Sequence, residues 1–153
     1  MSDLNSVDEL RAELARVQAA FDDFRWFLPD ALVEIDLATF RVTFLNRMAE
    51  ILTGFTPADV KAGLLATDML APAEVPRALV LVQMYVGASR ENQTPYTRSN
   101  QQDLFEQELR RKDGSLFWAE THTSHVLDAM GVPQLMRTAF RDITARLNPE
   151  PDE

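Results

Sequence analysis

Apolar residues recur at Val7, Leu10, Leu14, Val17, Phe21, Phe24 and Leu28, in alternating steps of three and four. That spacing puts them on one stripe of a helix, at the a and d positions of a heptad repeat. Asp8, Glu9, Arg11, Glu13, Arg16, Gln18, Asp22 and Asp23 fill the positions between, so a polar face opposes the seam. At 1.5 Å per residue such a helix is about 33 Å long, and Pro29, which has no backbone N–H, ends it. A seam of this kind packs either on the chain's own sheet or on a second helix. Trp26 and Phe27 widen the apolar face near its end. The last turns are therefore expected to dock on the domain and the earlier ones on a second copy of the chain.

Beyond Pro29 the period changes from helical to two. Residues 31–37 read as a strand with Val33 and Ile35 on one side and Glu34 on the other, and residues 40–45 as its hairpin partner. Asn46 is a favourable helix cap, followed by Met48, Ile51 and Leu52 at helical spacing and closed by Gly54. Thr56-Pro57-Ala58-Asp59 opens a second short helix with a hydroxyl cap, proline at the first position and a carboxylate at the third. An apolar run over 64–70 leads to a longer helix over 74–87, expected to be mostly buried, and then to a polar loop over 89–103. The rest reads as a meander: strands over 104–111, 116–127 and 132–143, the first pair joined by Lys112-Asp113-Gly114-Ser115. This order predicts an α+β fold, a five-stranded antiparallel sheet with short helices on one face and an amphipathic N-terminal helix.

Composition narrows the functional classes. At 153 residues, 46% hydrophobic and 25% charged, the chain has the make-up of one globular domain with an appendage. It has no apolar run approaching the roughly 18 residues of a membrane span, and its opening, with Ser2, Asp3 and Asn5, does not have the form of an export signal. A cytoplasmic location is expected. A net charge of -9 disfavours nucleic acid and anionic membranes as partners. With no cysteine, the chain has no disulfide, thiolate metal site or cysteine nucleophile.

Several stretches resemble a PAS domain. Residues 29–36, Thr43-Phe44-Leu45-Asn46 with Leu52-Thr53-Gly54-Phe55, Arg111-Lys112-Asp113-Gly114-Ser115 with Phe117-Trp118, and Phe140-Arg141-Asp142-Ile143-Thr144 match the family's strands, central hairpin and exit motif in the right order. The expected organisation is a dimerisation or cap helix over 1–28, a PAS domain over 29–144 and an acidic, proline-containing tail over 145–153. The resemblance implies a sheet cupping a cavity, a homodimer formed through the N-terminal helix, and signal output past Asp142, Ile143 and Thr144. The effector would be a histidine kinase or cyclic-dinucleotide enzyme, in the same chain or in a partner.

What the cavity holds is left open. Relatives that form a flavin photoadduct do so through a cysteine, which is absent here, and their flavin-binding amides correspond to Leu109, Ala119 and Phe140. Haem-binding relatives often take an axial histidine from the long helix, which here has none, so haem is not expected. His122 and His125 lie three apart on a strand and point to opposite faces, so no metal site is assigned; His125, if inward, could meet a ligand singly or simply pack. Strand alternation from Leu109, Ala119 and Phe140 adds Phe105, Gln107, Thr121, Thr123, Met136 and Thr138 to the inner face. That lining suits a small ligand or a filled core. The outer face should carry Glu34, Glu106, Glu108, Arg110, Glu120 and Trp118, a face that the N-terminal helix or another protomer could cover, with Trp118 as the anchor opposite Phe24 and Phe27. No catalytic motif is present, so an enzyme is not expected. A structural homodimerising adaptor and, behind it, a small pocketed enzyme are the alternatives.

Overall fold

The computed structural model describes residues 3–91 and 103–147, with side chains over 6–83 and 106–146. Helix α1 (Asp3–Trp26) precedes strands β1 (Ala31–Asp36) and β2 (Val42–Leu45). Helices α2 (Arg47–Thr53) and α3 (Pro57–Lys61), two 3-10 turns (Ala66–Met69 and Pro72–Glu74) and helix α4 (Val75–Glu91) follow. Strands β3 (Asp103–Arg110), β4 (Leu116–Leu127) and β5 (Pro133–Asp142) lead to one last helical turn, α5 (Thr144–Leu147). The strands make one antiparallel sheet in the order β2-β1-β5-β4-β3. Pairing of β1 with β5 joins the N-terminal hairpin to the C-terminal meander, so the sheet closes only when both ends of the domain are present.

The core lies on one face. Val33 and Ile35 from β1, Leu109 from β3, Phe117 and Ala119 from β4 and Phe140 from β5 pack with Ala49 of α2 and Met69 of the first 3-10 turn. Local chemistry sets the helix ends. Asn46 Oδ1 accepts the N–H of Ala49 at 3.0 Å to start α2. Gly54, at φ 81°, ends it in a conformation that costs glycine little. Thr56 and Asp59 form a reciprocal capping box on α3, with Pro57 as its first residue.

The β3–β4 turn is tied to this corner. Lys112 N–H donates to Thr53 O at 2.8 Å, and its ammonium reaches Asp59 at 3.0 Å. The Lys112 ammonium, then the Thr56 N–H and hydroxyl, hold the Asp59 carboxyl below the usual carboxylate range. A carboxyl whose folded value is depressed adds stability that is complete above its unfolded value of about 3.9 and is lost as pH falls through the folded one. Thermal melts of Asp59→Asn should therefore approach wild type as pH drops below about 4. A stability gap unchanged from pH 6 to pH 3 would contradict this.

Several boundaries differ from expectation. β2 starts at Val42, because Phe40 (φ 60°) lies in a turn closed by its N–H to Asp36 O at 2.8 Å. α4 runs to Glu91, beyond 87, and none of its described side chains is buried. Leu79, on the side that meets the sheet, is still 38% exposed because the helix lies over a cavity there, and Val80, outside the lining, is 55% exposed. α1 stops at Trp26, two residues short of Leu28, which is half-buried past its end. Residues 92–102 of the expected loop and 148–153 of the tail lie outside the described residues. Among the described residues no helix is long and apolar enough to cross a membrane.

Candidate functional site: a sheet-lined cavity and the helix clamped behind it

Alternation along β4 buries Phe117, Ala119, Thr121, Thr123 and His125 on the inner face. Pairing sets the inner residues in rows across the sheet. Val33, Thr138 and Thr123 form one row, Ala31, Phe140 and Thr121 the next, and Ala119 stands beside Gln107. Of these rows, Val33, Thr138, Thr123, Phe140, Thr121 and Gln107 border a cavity of about 90 Å³, roofed by Ala78, Leu79 and Val82 of α4.

Of the candidate lining residues, Gln107, Leu109, Thr121, Thr123, Met136, Thr138 and Phe140 border this space. Ala119 is fully buried but does not border it, and the side chain of Phe105 lies outside the described set. Sequence reading missed Val33 and Ile35 as lining, together with Phe40, Ala66, Thr67, Met69, Leu70 and the α4 residues. The apolar run over 64–70 was the available signal for the middle group.

The lining is apolar with a few neutral polar groups. Thr123 and Thr138 hydroxyls lie 3.2 Å apart across β4 and β5 and bond each other. Gln107 is 7% exposed. Among the described residues none of the lining is charged, and no histidine is part of it. His125 is buried on this face, whereas His122 points outward, its Nε2 3.5 Å from Glu120 Oε1. Arg146, bonded at 2.8 Å, and then His122 lower the Glu120 carboxyl below its ordinary range. Among the described residues no three metal-ligating side chains cluster. A haem or flavin does not fit this lining: about 90 Å³ is far below the roughly 300–1,000 Å³ of pockets for larger ligands.

Behind the same strands, on the outer face, α1 is clamped by its last turn. Arg25 Nη1 donates to Glu34 at 2.8 Å, and Arg137 Nε donates to the other oxygen of the same carboxylate at 3.1 Å. The Arg25 guanidinium stacks 3.9 Å over the Phe44 ring and 5.0 Å from that of Phe21. Asn46 adds a second tie by donating its amide to Arg25 O at 3.0 Å and Asp30 O at 2.9 Å. Glu34, placed by alternation on the outer face, is only 5% exposed because these partners cover it.

The expected contact of Trp118 with Phe24 and Phe27 is not made within the chain. The clamp sits at Arg137, which pairs with Ser124, six residues and about 20 Å along β4 from Trp118. Trp118 is half-buried there, while Phe24 and Phe27 remain 65% and 59% exposed. Val7, Leu10, Leu14, Val17 and Phe21 are also exposed, from 40% to 69%. At the exit, Ile143 is buried and donates its N–H to Trp118 O at 2.9 Å. Thr144 Oγ1 accepts the Trp118 N–H, and Asp142 accepts that of Thr144.

The family model for the PAS domain matches residues 29–145. The chain belongs to the PAS domain family. Solved PAS structures share its fold, among them the PAS domain of a protein from Colwellia psychrerythraea, 21% identical with a TM-score of 0.65 over 85% of this chain and 99% of that one. A sensory box histidine kinase/response regulator from Burkholderia thailandensis is 17% identical, with a TM-score of 0.53 over 87% and 88%. The N-terminal domain of a diguanylate cyclase with a PAS/PAC sensor from Marinobacter aquaeolei is 14% identical, with a TM-score of 0.56 over 77% and 98%. At these identities the likeness is one of fold. No curated protein matches the sequence. PAS domains are typically sensory rather than catalytic, and the described lining offers neither carboxylate nor histidine for acid–base work.

Proposed function

We propose that this PAS domain is a cytoplasmic sensory module that homodimerises through α1 and passes the state of its cavity to a histidine kinase or cyclic-dinucleotide enzyme. The observation that carries the reading is the alternation of cavity and clamp on the same strands. Val33 and Ile35 line the cavity and Glu34 between them holds α1; Met136 and Thr138 line it and Arg137 between them holds Glu34. A ligand that spreads β1 and β5 on one face thus moves both sides of the clamp on the other. The exit at Asp142, Ile143 and Thr144, stitched to β4 at Trp118, offers a second route out.

Dimerisation rests on the uncovered seam of α1, since monomers rarely leave a contiguous apolar stripe in water. Native mass spectrometry of the chain should give a dimer, and Leu14→Glu with Val17→Glu should weaken it at least tenfold by placing carboxylates in the seam. A wild-type monomer at micromolar concentration would remove α1 as the dimer element. The small volume of the cavity favours one rival, a homodimerising adaptor with a closed core. Native spectra of a dimer without added mass would favour that adaptor, and a dimer carrying a small adduct the sensor.

A further inference from the structure

We infer that the cavity takes a small uncharged molecule with a neutral donor and acceptor head, such as a carboxamide or lactam, and that Gln107 reads that head. This deepens the ligand-sensing reading above and rests on it. Gln107 is more than nine-tenths buried on the lining, and its carboxamide makes no hydrogen bond among the described residues. Its polar atoms keep access to the space beside them, so an occupant of the cavity can pair with them without breaking an existing bond. The Thr123 and Thr138 hydroxyls already bond each other, and Gln107 is the amide side chain on the described lining that can pair with an occupant.

Three features define the occupant. A carboxamide presents two N–H donors and a carbonyl acceptor, so its best complement carries both functions in one plane. The described lining holds no charged side chain, so against it a carboxylate or ammonium would lose its hydration without a counter-charge. Size sets the third limit: about 90 Å³ is less than the roughly 150 Å³ cavity that accepts benzene, so the occupant has about six non-hydrogen atoms or fewer. Its apolar body would lie under Leu79 and Val82. Leu79, 38% exposed, marks α4 as the side of entry.

Isobutyramide and isobutyrate have the same shape and differ in charge at pH 7, so a titration of the full chain with each, followed by saturation-transfer NMR, tests the assignment. Isobutyramide should bind at least tenfold more tightly than isobutyrate. Gln107→Leu, which keeps the volume and removes the amide, should weaken isobutyramide at least tenfold while melting at or above the wild-type temperature. Ala78→Leu fills the space from the half-exposed side of α4 and should weaken it as well. Isobutyrate binding as tightly, or Gln107→Leu keeping full affinity, overturns the ligand class and leaves the cavity a ligand site. Absence of binding by either probe, with native spectra free of any adduct, overturns the class and the ligand-sensing reading together.

Discussion

Asn46→Ala should cost about 3 kcal/mol of stability, a large share of the roughly 5–15 kcal/mol that holds a domain together. The Asn46 side chain is fully buried and uses both ends of its amide. Its oxygen accepts the N–H groups of Leu32 at 2.9 Å and Ala49 at 3.0 Å, and its nitrogen donates to Arg25 O and Asp30 O. Alanine removes a helix cap worth about 1 kcal/mol. It also strands backbone groups of β1 and of the α1–β1 junction, at roughly 1 kcal/mol or more each where water cannot reach them. The decisive comparison is Asn46→Asp. Aspartate caps helices as well as asparagine does, but its carboxylate would face two carbonyl oxygens that need donors. Urea unfolding should therefore find Asn46→Asp at least as damaged as Asn46→Ala. An Asn46→Asp protein within 0.5 kcal/mol of wild type would reduce Asn46 to an ordinary cap.

The sequence disclosed Asn46 only in part, and the reason is general to this fold. A cap is a local event, so Asn46 before a helical period, Thr56 with Asp59, and the glycine at 54 were all legible from neighbours a few residues away. The inner face of β4 was legible for the same kind of reason, because period-two alternation from Ala119 leads directly to Thr121 and Thr123. Contacts made between distant segments left no such trace. The bond from Asn46 to Arg25 O spans 21 residues and that from Arg137 to Glu34 spans 103. Alternation placed Glu34 on the outer face, where the N-terminal helix was expected to be able to cover it, but carries no information on which side chains do so, and Arg25 and Arg137 left no local trace. In α4 the failure was of the opposite sign. Val75, Leu79 and Val82 promised a buried helix, yet an apolar pattern reports only which face turns inward, not whether the space beneath is filled. Trp118 fell between these cases: its face was right, but within the chain it does not meet Phe24 and Phe27, because the docking point of α1 is set by Arg25.

That docking point is the basis of the second large effect. Glu34→Ala should lose about 2 kcal/mol and free the last turn of α1 from the sheet. Removing one partner of a buried ion pair costs roughly 3–5 kcal/mol when the remaining charge stays buried. Here the cost is discounted, since the Arg25 and Arg137 side chains are 20% and 39% exposed and can recover some water. Arg25 has more to lose than its charge partner. Its Nε is buried without a hydrogen bond among the described residues, a cost that the contacts to Glu34, Phe44 and Phe21 offset together. Without Glu34 the two guanidiniums flank an empty site beside the Phe21 ring and repel each other, and the cheapest relief is for Arg25 to swing out with its helix. Glu34→Gln should do nearly the same, because it keeps the shape and removes the charge. Replacing Glu34 and Arg137 together by leucine should recover much of the stability, as apolar substitutes for buried ion pairs usually do, but should leave α1 unclamped. Urea unfolding reads the first quantity, and the rate of tryptic cleavage after Arg25 in the native protein reads the second. Cleavage accelerated in all three variants, with stability lost only in the single ones, would separate what holds the sheet from what holds the helix. Cleavage of Glu34→Ala at the wild-type rate would mean that Asn46 alone anchors α1, and the route from the cavity through Glu34 would fall with it.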